Sequence, residues 1–206
     1  EATGCFLLMT GESPEVPGNV SGFYLRDYDP TSKAADNSDL SFSRCGTLLS
    51  RSLGIALGSD WTTYFSLAGE GVRKSDEFYY APWRAGRENP EAETRDLGYW
   101  SEPFCLEDDP ACGYKVITYS IPLRRNGQVY AVFGVEISLP TLIKEYMVSV
   151  GSDSSDHSYL IAVEGADGGY RPVAGDDYLS NLLLSQSSFH LVETKYDNLY
   201  HVDSIP

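Results

Sequence analysis

The stretch Tyr114-Lys115-Val116-Ile117-Thr118-Tyr119-Ser120-Ile121-Pro122-Leu123, then Arg124-Arg125-Asn126-Gly127, then Gln128 to Ile137 constrains the fold more than any other part of the chain. Two long runs rich in β-forming residues meet at Asn-Gly, the dipeptide that supplies the positive φ angles of a tight hairpin turn. The pattern predicts an antiparallel pair of strands. Around it, Ala2 to Thr10 is a short apolar run bounded by turn formers and reads as a central strand. Gly22-Phe23-Tyr24-Leu25-Arg26 reads as a second strand, which Asp27-Tyr28-Asp29-Pro30 stops because proline cannot continue a ladder.

Capping residues at Asn37-Ser38-Asp39 precede Leu48, Leu49, Leu53 and Ile55 at three-to-four spacing, which predicts a helix from about Ser43 to Leu53, ended by Gly54 and Gly58. The clusters Trp61 to Phe65 and Phe78 to Trp83 show no clean period. A further helix is expected to begin at Leu139-Pro140-Thr141 and run through Leu142, Ile143, Tyr146 and Met147. Gly151 to Asp156 reads as a polar linker, Ser158 to Val163 as a new strand and Gly165 to Gly169 as its turn. Residues 1–150 are thus expected to form one module and residues 151–206 a second, partial one.

The chain has 206 residues, of which 42% are hydrophobic and 13% aromatic, enough for one good core and a smaller second one. Its 30 acidic against 15 basic residues give a net charge of −15, which repels a phosphate backbone, so nucleic acid is excluded as a partner. Neither Cys5–Met9 nor Val129–Val135 approaches the roughly 20 apolar residues that cross a bilayer. Glu1 follows no initiator Met, basic segment or cleavage site, and reads as an excision point inside a longer protein whose membrane anchor lies elsewhere.

Cys105 and Cys112 bracket Leu-Glu-Asp-Asp-Pro-Ala, a turn whose ends can meet at disulfide distance, which leaves Cys5 and Cys45 to each other. Zinc is disfavoured because His157, His190 and His201 stand far from all four cysteines. The alternative is free, buried thiols. A Cys105–Cys112 bond implies an oxidising, extracytoplasmic location.

Three segments then resemble double-Cache sensor domains, the extracellular parts of bacterial chemoreceptors, histidine kinases and cyclic-dinucleotide enzymes. They are Asp96-Leu97-Gly98-Tyr99-Trp100-Ser101-Glu102-Pro103-Phe104, Ile117 to Leu123, and Gly127 to Ser138. The likeness runs over about Phe78 to Ile143 and is looser elsewhere. It implies an α+β, PAS-like fold with an antiparallel sheet and flanking helices, in which a membrane-distal module holds a small ligand and a partial membrane-proximal module follows. It also implies a membrane-anchored parent, signalling of the two-component kind among the options, and leaves a homodimer open.

In amino-acid-binding members of that family an Arg followed by Trp-Tyr grips a carboxylate, and an Asp on the last hairpin strand grips an amino group. The matching positions here read Asp76-Glu77-Phe78-Tyr79-Tyr80, without the Arg, and Glu136 in place of the Asp. The resemblance therefore implies a pocket with Tyr79, Tyr80, Trp83, Tyr99, Trp100 and Tyr119 as an aromatic wall and Glu136 as the orienting charge, favouring a cation or an amine. The plainer readings are core packing for each aromatic and an outward or capping role for Glu136.

Catalysis is not expected, and no cofactor. Asp27, Asp29, Glu107, Asp108 and Asp109 supply paired carboxylates only in turns, where Asp satisfies its own backbone, and no nucleophile elbow, zinc-protease motif or phosphate loop is present. Three functions remain: a small-molecule sensor, a structural or protein-interaction ectodomain, and an acidic secreted hydrolase.

Overall fold

A computed structural model describes residues 2–11, 17–30, 32, 37–105, 115–147, 158–175 and 178–203. The chain divides into two compact units, Glu1–Ser138 and Leu139–Pro206.

In the first unit the strands are β1 (Gly4–Met9), β2 (Gly18–Val20), β3 (Gly22–Asp27) and β4 (Leu40–Arg44), followed by helix α1 (Thr47–Leu53). Strands β5 (Ala56–Thr62) and β6 (Phe65–Leu67) come next, then helix α2 (Glu77–Glu88), β7 (Tyr99–Trp100), β8 (Phe104–Cys105), β9 (Lys115–Arg125) and β10 (Gln128–Ser138). One sheet runs in the order β5-β4-β3-β1-β10-β9-β7, with β8 also on β9, while β2 and β6 pair separately. Every pairing in the large sheet is antiparallel except β4 with β5. The expected α+β architecture, an antiparallel sheet with flanking helices, is thus present.

The β9–β10 hairpin forms as the Asn-Gly signal requires, with Asn126 at φ 52° and Gly127 at φ 76°. The helix expected from Ser43 is corrected: Leu40–Arg44 is strand β4, and α1 begins only at Thr47. The leucine spacing marks the helix, but its first residues are claimed by pairing with β3, which places Phe42 opposite Leu25. Gly54, at φ 66°, ends α1 in the left-handed conformation that glycine adopts most readily.

Because side chains alternate across a sheet, β1 sends Phe6 and Leu8 to one face and Cys5 and Leu7 to the other. Helix α2 covers the first face. Its Phe78, Tyr79, Tyr80 and Trp83 form a core with Phe6, Leu8, Tyr24, Leu67 and Val132. A smaller cluster of Phe42, Cys45 and Ile55, with Phe23, Leu25 and Leu49 against it, belongs to the strands near α1.

Helix α2 carries Pro82 in its interior. Proline has no N–H to give the carbonyl four residues back, so the Phe78 carbonyl loses its helical donor. The buried Ser120 hydroxyl of β9 donates to that carbonyl instead, at 2.6 Å. The same exchange ties the helix to the sheet.

In the second unit a short helical turn, α3 (Leu139–Leu142), continues into a π-helical turn at Ile143–Met147. Strands β11 (Leu160–Glu164) and β12 (Tyr170–Gly175) form a hairpin that turns at Gly168, φ 78°, and helix α4 (Tyr178–Leu184) follows. Strands β13 (Leu191–Glu193) and β14 (Tyr200–Val202) pair with each other. The Tyr170 and Phe189 rings stack 5.8 Å apart. No described helix is long and apolar enough to cross a membrane.

Candidate functional site

The sheet face beneath α2 is hydrophobic toward Phe6 and Leu8 and turns polar at the other end of the same strands. Gly4 stands directly between Arg26 on β3 and Glu136 on β10, and Glu136 is itself opposite Thr118 on β9. All four positions share one face. The Glu136 side chain is fully buried, which settles its orientation against the outward reading. Thr3 donates its hydroxyl to Glu136 Oε1 at 3.2 Å, and the Ser138 N–H donates to that same hydroxyl at 2.8 Å.

Glu136 Oε2 and the Thr118 hydroxyl are buried and have no hydrogen-bond partner among the described residues. Burial pushes the Glu136 carboxyl up to about 7, and the Thr3 hydrogen bond offsets this only in part. Removal of a carboxylate from water disfavours its charged form, which is the direction of this shift.

A cavity of about 470 Å³ lies along the same face, toward β4 to β6 and the start of α2. Tyr24, Phe65, Leu67, Phe78 and Phe104 supply its apolar wall, and Arg26, Arg44, Arg73, Asp60 and Asp76 its charges. Tyr24 and Glu136 flank Gly4: a Cβ placed there would meet the Tyr24 ring edge at 3.4 Å and the Glu136 β-carbon at 3.6 Å. Asp76 is committed to structure. Its Oδ2 accepts the Ala68 N–H at 2.8 Å and its Oδ1 accepts Arg73 Nε and Nη2 at 3.1 and 2.8 Å.

The residues named from sequence separate into two groups. Tyr79 and Tyr80 are fully buried and Trp83 nearly so, all within the core under α2, with the Arg87 guanidinium 4.6 Å from the Trp83 ring centre. Tyr99 is opposite Ser120 and so shares the face of Glu136, where burial and the nearby Glu77 and Glu102 push its phenol upward. Trp100 is opposite Tyr119, and these two rings meet 5.0 Å apart on the other face of the sheet. Trp100 remains 57% exposed. The structure therefore does not join all six aromatics in one wall.

None of the seven named residues lines the cavity, although Phe78 and Phe104 beside them do. Sequence reasoning missed Tyr24, Ser43, Arg44 and Asp60. For Tyr24, Ser43 and Arg44 the signal is a pairing irregularity between β3 and β4, which one strand read alone does not carry, while Asp60 comes from β5.

Cys5 and Cys45 are free thiols, which corrects their suggested pairing. Cys5 is on β1 and Cys45 just follows β4, with β3 between those strands. Two strand spacings, roughly 9 to 10 Å, exceed disulfide reach. Cys112 and Glu107 to Asp109 lie outside the described residues, so the Cys105–Cys112 expectation and the second acidic cluster fall there. The Asp29 N–H donates to Asp27 Oδ1 at 3.0 Å, the local turn bond expected of that pair. No group of three or more His, Cys, Asp or Glu side chains suited to a metal occurs among the described residues.

No family model and no curated protein matches the chain. Among solved structures it is similar to the ligand-binding domain of the Pseudomonas aeruginosa PAO1 amino acid chemoreceptor PctC in complex with GABA. That alignment has 15% identity and a TM-score of 0.39, and covers 98% of this chain and 65% of the other.

Proposed function

We propose that the chain is the extracytoplasmic ligand-binding part of a membrane-anchored bacterial receptor, and that its first unit takes a small polar molecule such as an amine or an amino-acid-like compound. The observation that carries this reading is a cavity of about 470 Å³ on the same sheet face as a buried carboxyl with one oxygen unpartnered among the described residues. The volume falls within the range of small-molecule pockets, and an apolar wall with a few convergent polar groups is their usual composition. The double-Cache resemblance of Asp96–Phe104, Ile117–Leu123 and Gly127–Ser138 supports the same reading. The chain is a sensor without its own catalysis, and any enzymatic output belongs to another part of the receptor.

Glu136 does not itself line the cavity, so a cationic ligand group pairs with its carboxyl only by reaching along the shared face past the described lining. A thermal-shift panel of amines, amino acids, carboxylates and nucleobases tests the reading, because a ligand that binds only the folded state raises its melting temperature. A panel in which nothing binds overturns it in favour of a protein-interaction ectodomain.

For an amine that binds, Glu136→Gln should weaken affinity by about 1.5–3 kcal/mol, the worth of a charge-assisted hydrogen bond. Affinity should also depend on pH. Glu136 titrates near 7, so below that value each pH unit lowers the charged fraction about tenfold and affinity falls with it. Calorimetry near pH 7 in two buffers of different ionisation enthalpy should show a proton released on binding. A folded Glu136→Gln protein with unchanged affinity removes Glu136 from the site.

A further inference from the structure

Strands β3 and β4 fall out of register by one residue. Tyr24 pairs with Arg44, while the next residue, Leu25, pairs with Phe42, so Ser43 has no partner across the ladder. Such a bulge re-aims side chains, and bulges concentrate next to functional sites. In a regular strand Ser43 and Arg44 would point to opposite faces. Here both line the cavity, together with Tyr24.

What the bulge brings together is a set of donors with spare capacity. The Ser43 and Tyr24 hydroxyls are buried and have no hydrogen-bond partner among the described residues. Ser43 is 1% exposed and Tyr24 4%. Arg44 Nη1 donates to the carbonyls of Ser43 at 2.6 Å and Asp60 at 2.9 Å and lies 3.6 Å from Asp60 Oδ2. Its Nε and Nη2 make no hydrogen bond among the described residues, which leaves one edge of the guanidinium fork unused.

We propose that this bulge is the receptor for a carboxylate group of a small organic ligand, with the Arg44 fork, the Tyr24 hydroxyl and the Ser43 hydroxyl donating to its two oxygens. A guanidinium edge matches a carboxylate with two parallel hydrogen bonds, and that fit favours it over a neutral acceptor. Two buried hydroxyls facing an anion turn their hydrogens toward it at no conformational expense, since a hydroxyl rotates to suit. The charges agree. Among the described residues, three arginines and two aspartates line the cavity, in a chain of net charge −15. The apolar wall of Phe65, Phe78 and Phe104 then takes the ligand's hydrocarbon part.

The inference rests on the cavity being the ligand site of a sensor. The experiment is titration calorimetry on the whole chain with straight-chain and aryl monocarboxylates, their matched primary amides, simple alkylamines and inorganic phosphate. At least one carboxylate should bind, with its amide weaker by tenfold or more. Arg44→Gln should weaken that carboxylate at least tenfold, and Tyr24→Phe, which removes one oxygen and keeps the ring in the core, three- to tenfold. If Arg44→Gln does not fold, Tyr24→Phe and Ser43→Ala decide alone.

Carboxylate and amide binding equally, or both hydroxyl variants behaving as the parent protein, overturns the carboxylate assignment. Phosphate competing on equal terms overturns it in favour of a general oxyanion site. Amines binding while carboxylates do not removes this inference and keeps the sensor reading. Nothing in the series binding removes both.

Discussion

Glu136 titrates within the folded protein at a pH where an ordinary glutamate is already charged, and this makes stability a function of pH. Its folded value of about 7 lies above the ordinary 4.5, so the native state holds the proton more tightly than the unfolded chain. The stabilisation is fully present below about 4.5 and is lost as pH rises to 7, a difference of about 3 kcal/mol at 1.36 kcal/mol per unit. Urea unfolding of the ligand-free chain should therefore show stability falling between pH 5 and pH 7.5, and Glu136→Gln should flatten that slope. A parallel slope in both proteins would assign the effect to other groups. The position of Glu136 on the last hairpin strand was legible in the sequence, since strand period and turn fix the register of a hairpin. The roles open to Tyr24, Ser43 and Arg44 were not, because a bulge belongs to a pair of strands.

At the scale of the element, the joint between α2 and β9 is the Ser120 hydroxyl on the carbonyl that Pro82 leaves without a donor. Ser120→Ala leaves a buried carbonyl unsatisfied, and the expected loss is about 1–3 kcal/mol in chemical denaturation. Ser120→Ala in a background of Pro82→Ala, which returns the helical N–H, should lose less, and equal losses in the two backgrounds would refute the coupling. The hairpin was the most legible element because Asn-Gly and the alternating runs agree. The start of α1 was misplaced because Leu40–Arg44 joins a sheet whose partner strand is decided by tertiary contact. The division of the six aromatics between two faces was hidden for a similar reason. Trp100 and Tyr119 meet across a short strand pair that shows no period of its own.

For the molecule as a whole, the covalent map is the prediction with the widest reach. Non-reducing peptide mapping of oxidised protein should recover Cys105 and Cys112 in one cross-linked product, with Cys5 and Cys45 alkylated singly after denaturation. Recovery of Cys105 and Cys112 as two free thiols would remove the argument for an oxidising compartment. The topology of the first unit bears on how the chain reaches this state. Its central pairing joins β1 to β10, and the Thr3–Glu136 bond closes a separation of 133 positions. The β9–β10 hairpin has its contacts nearby in sequence and can form early, whereas β1, with β3 close at hand for one edge, must wait for its other partner until more than a hundred residues later. Non-local pairing of this kind slows folding, because loop entropy is lost before the contact forms. On a ribosome, β1 and β3 are made well before β10, so the second edge of β1 is filled only after the hairpin has emerged. The apolar Phe6-Leu7-Leu8 of β1 carries that open edge in the meantime, where a chaperone can meet it.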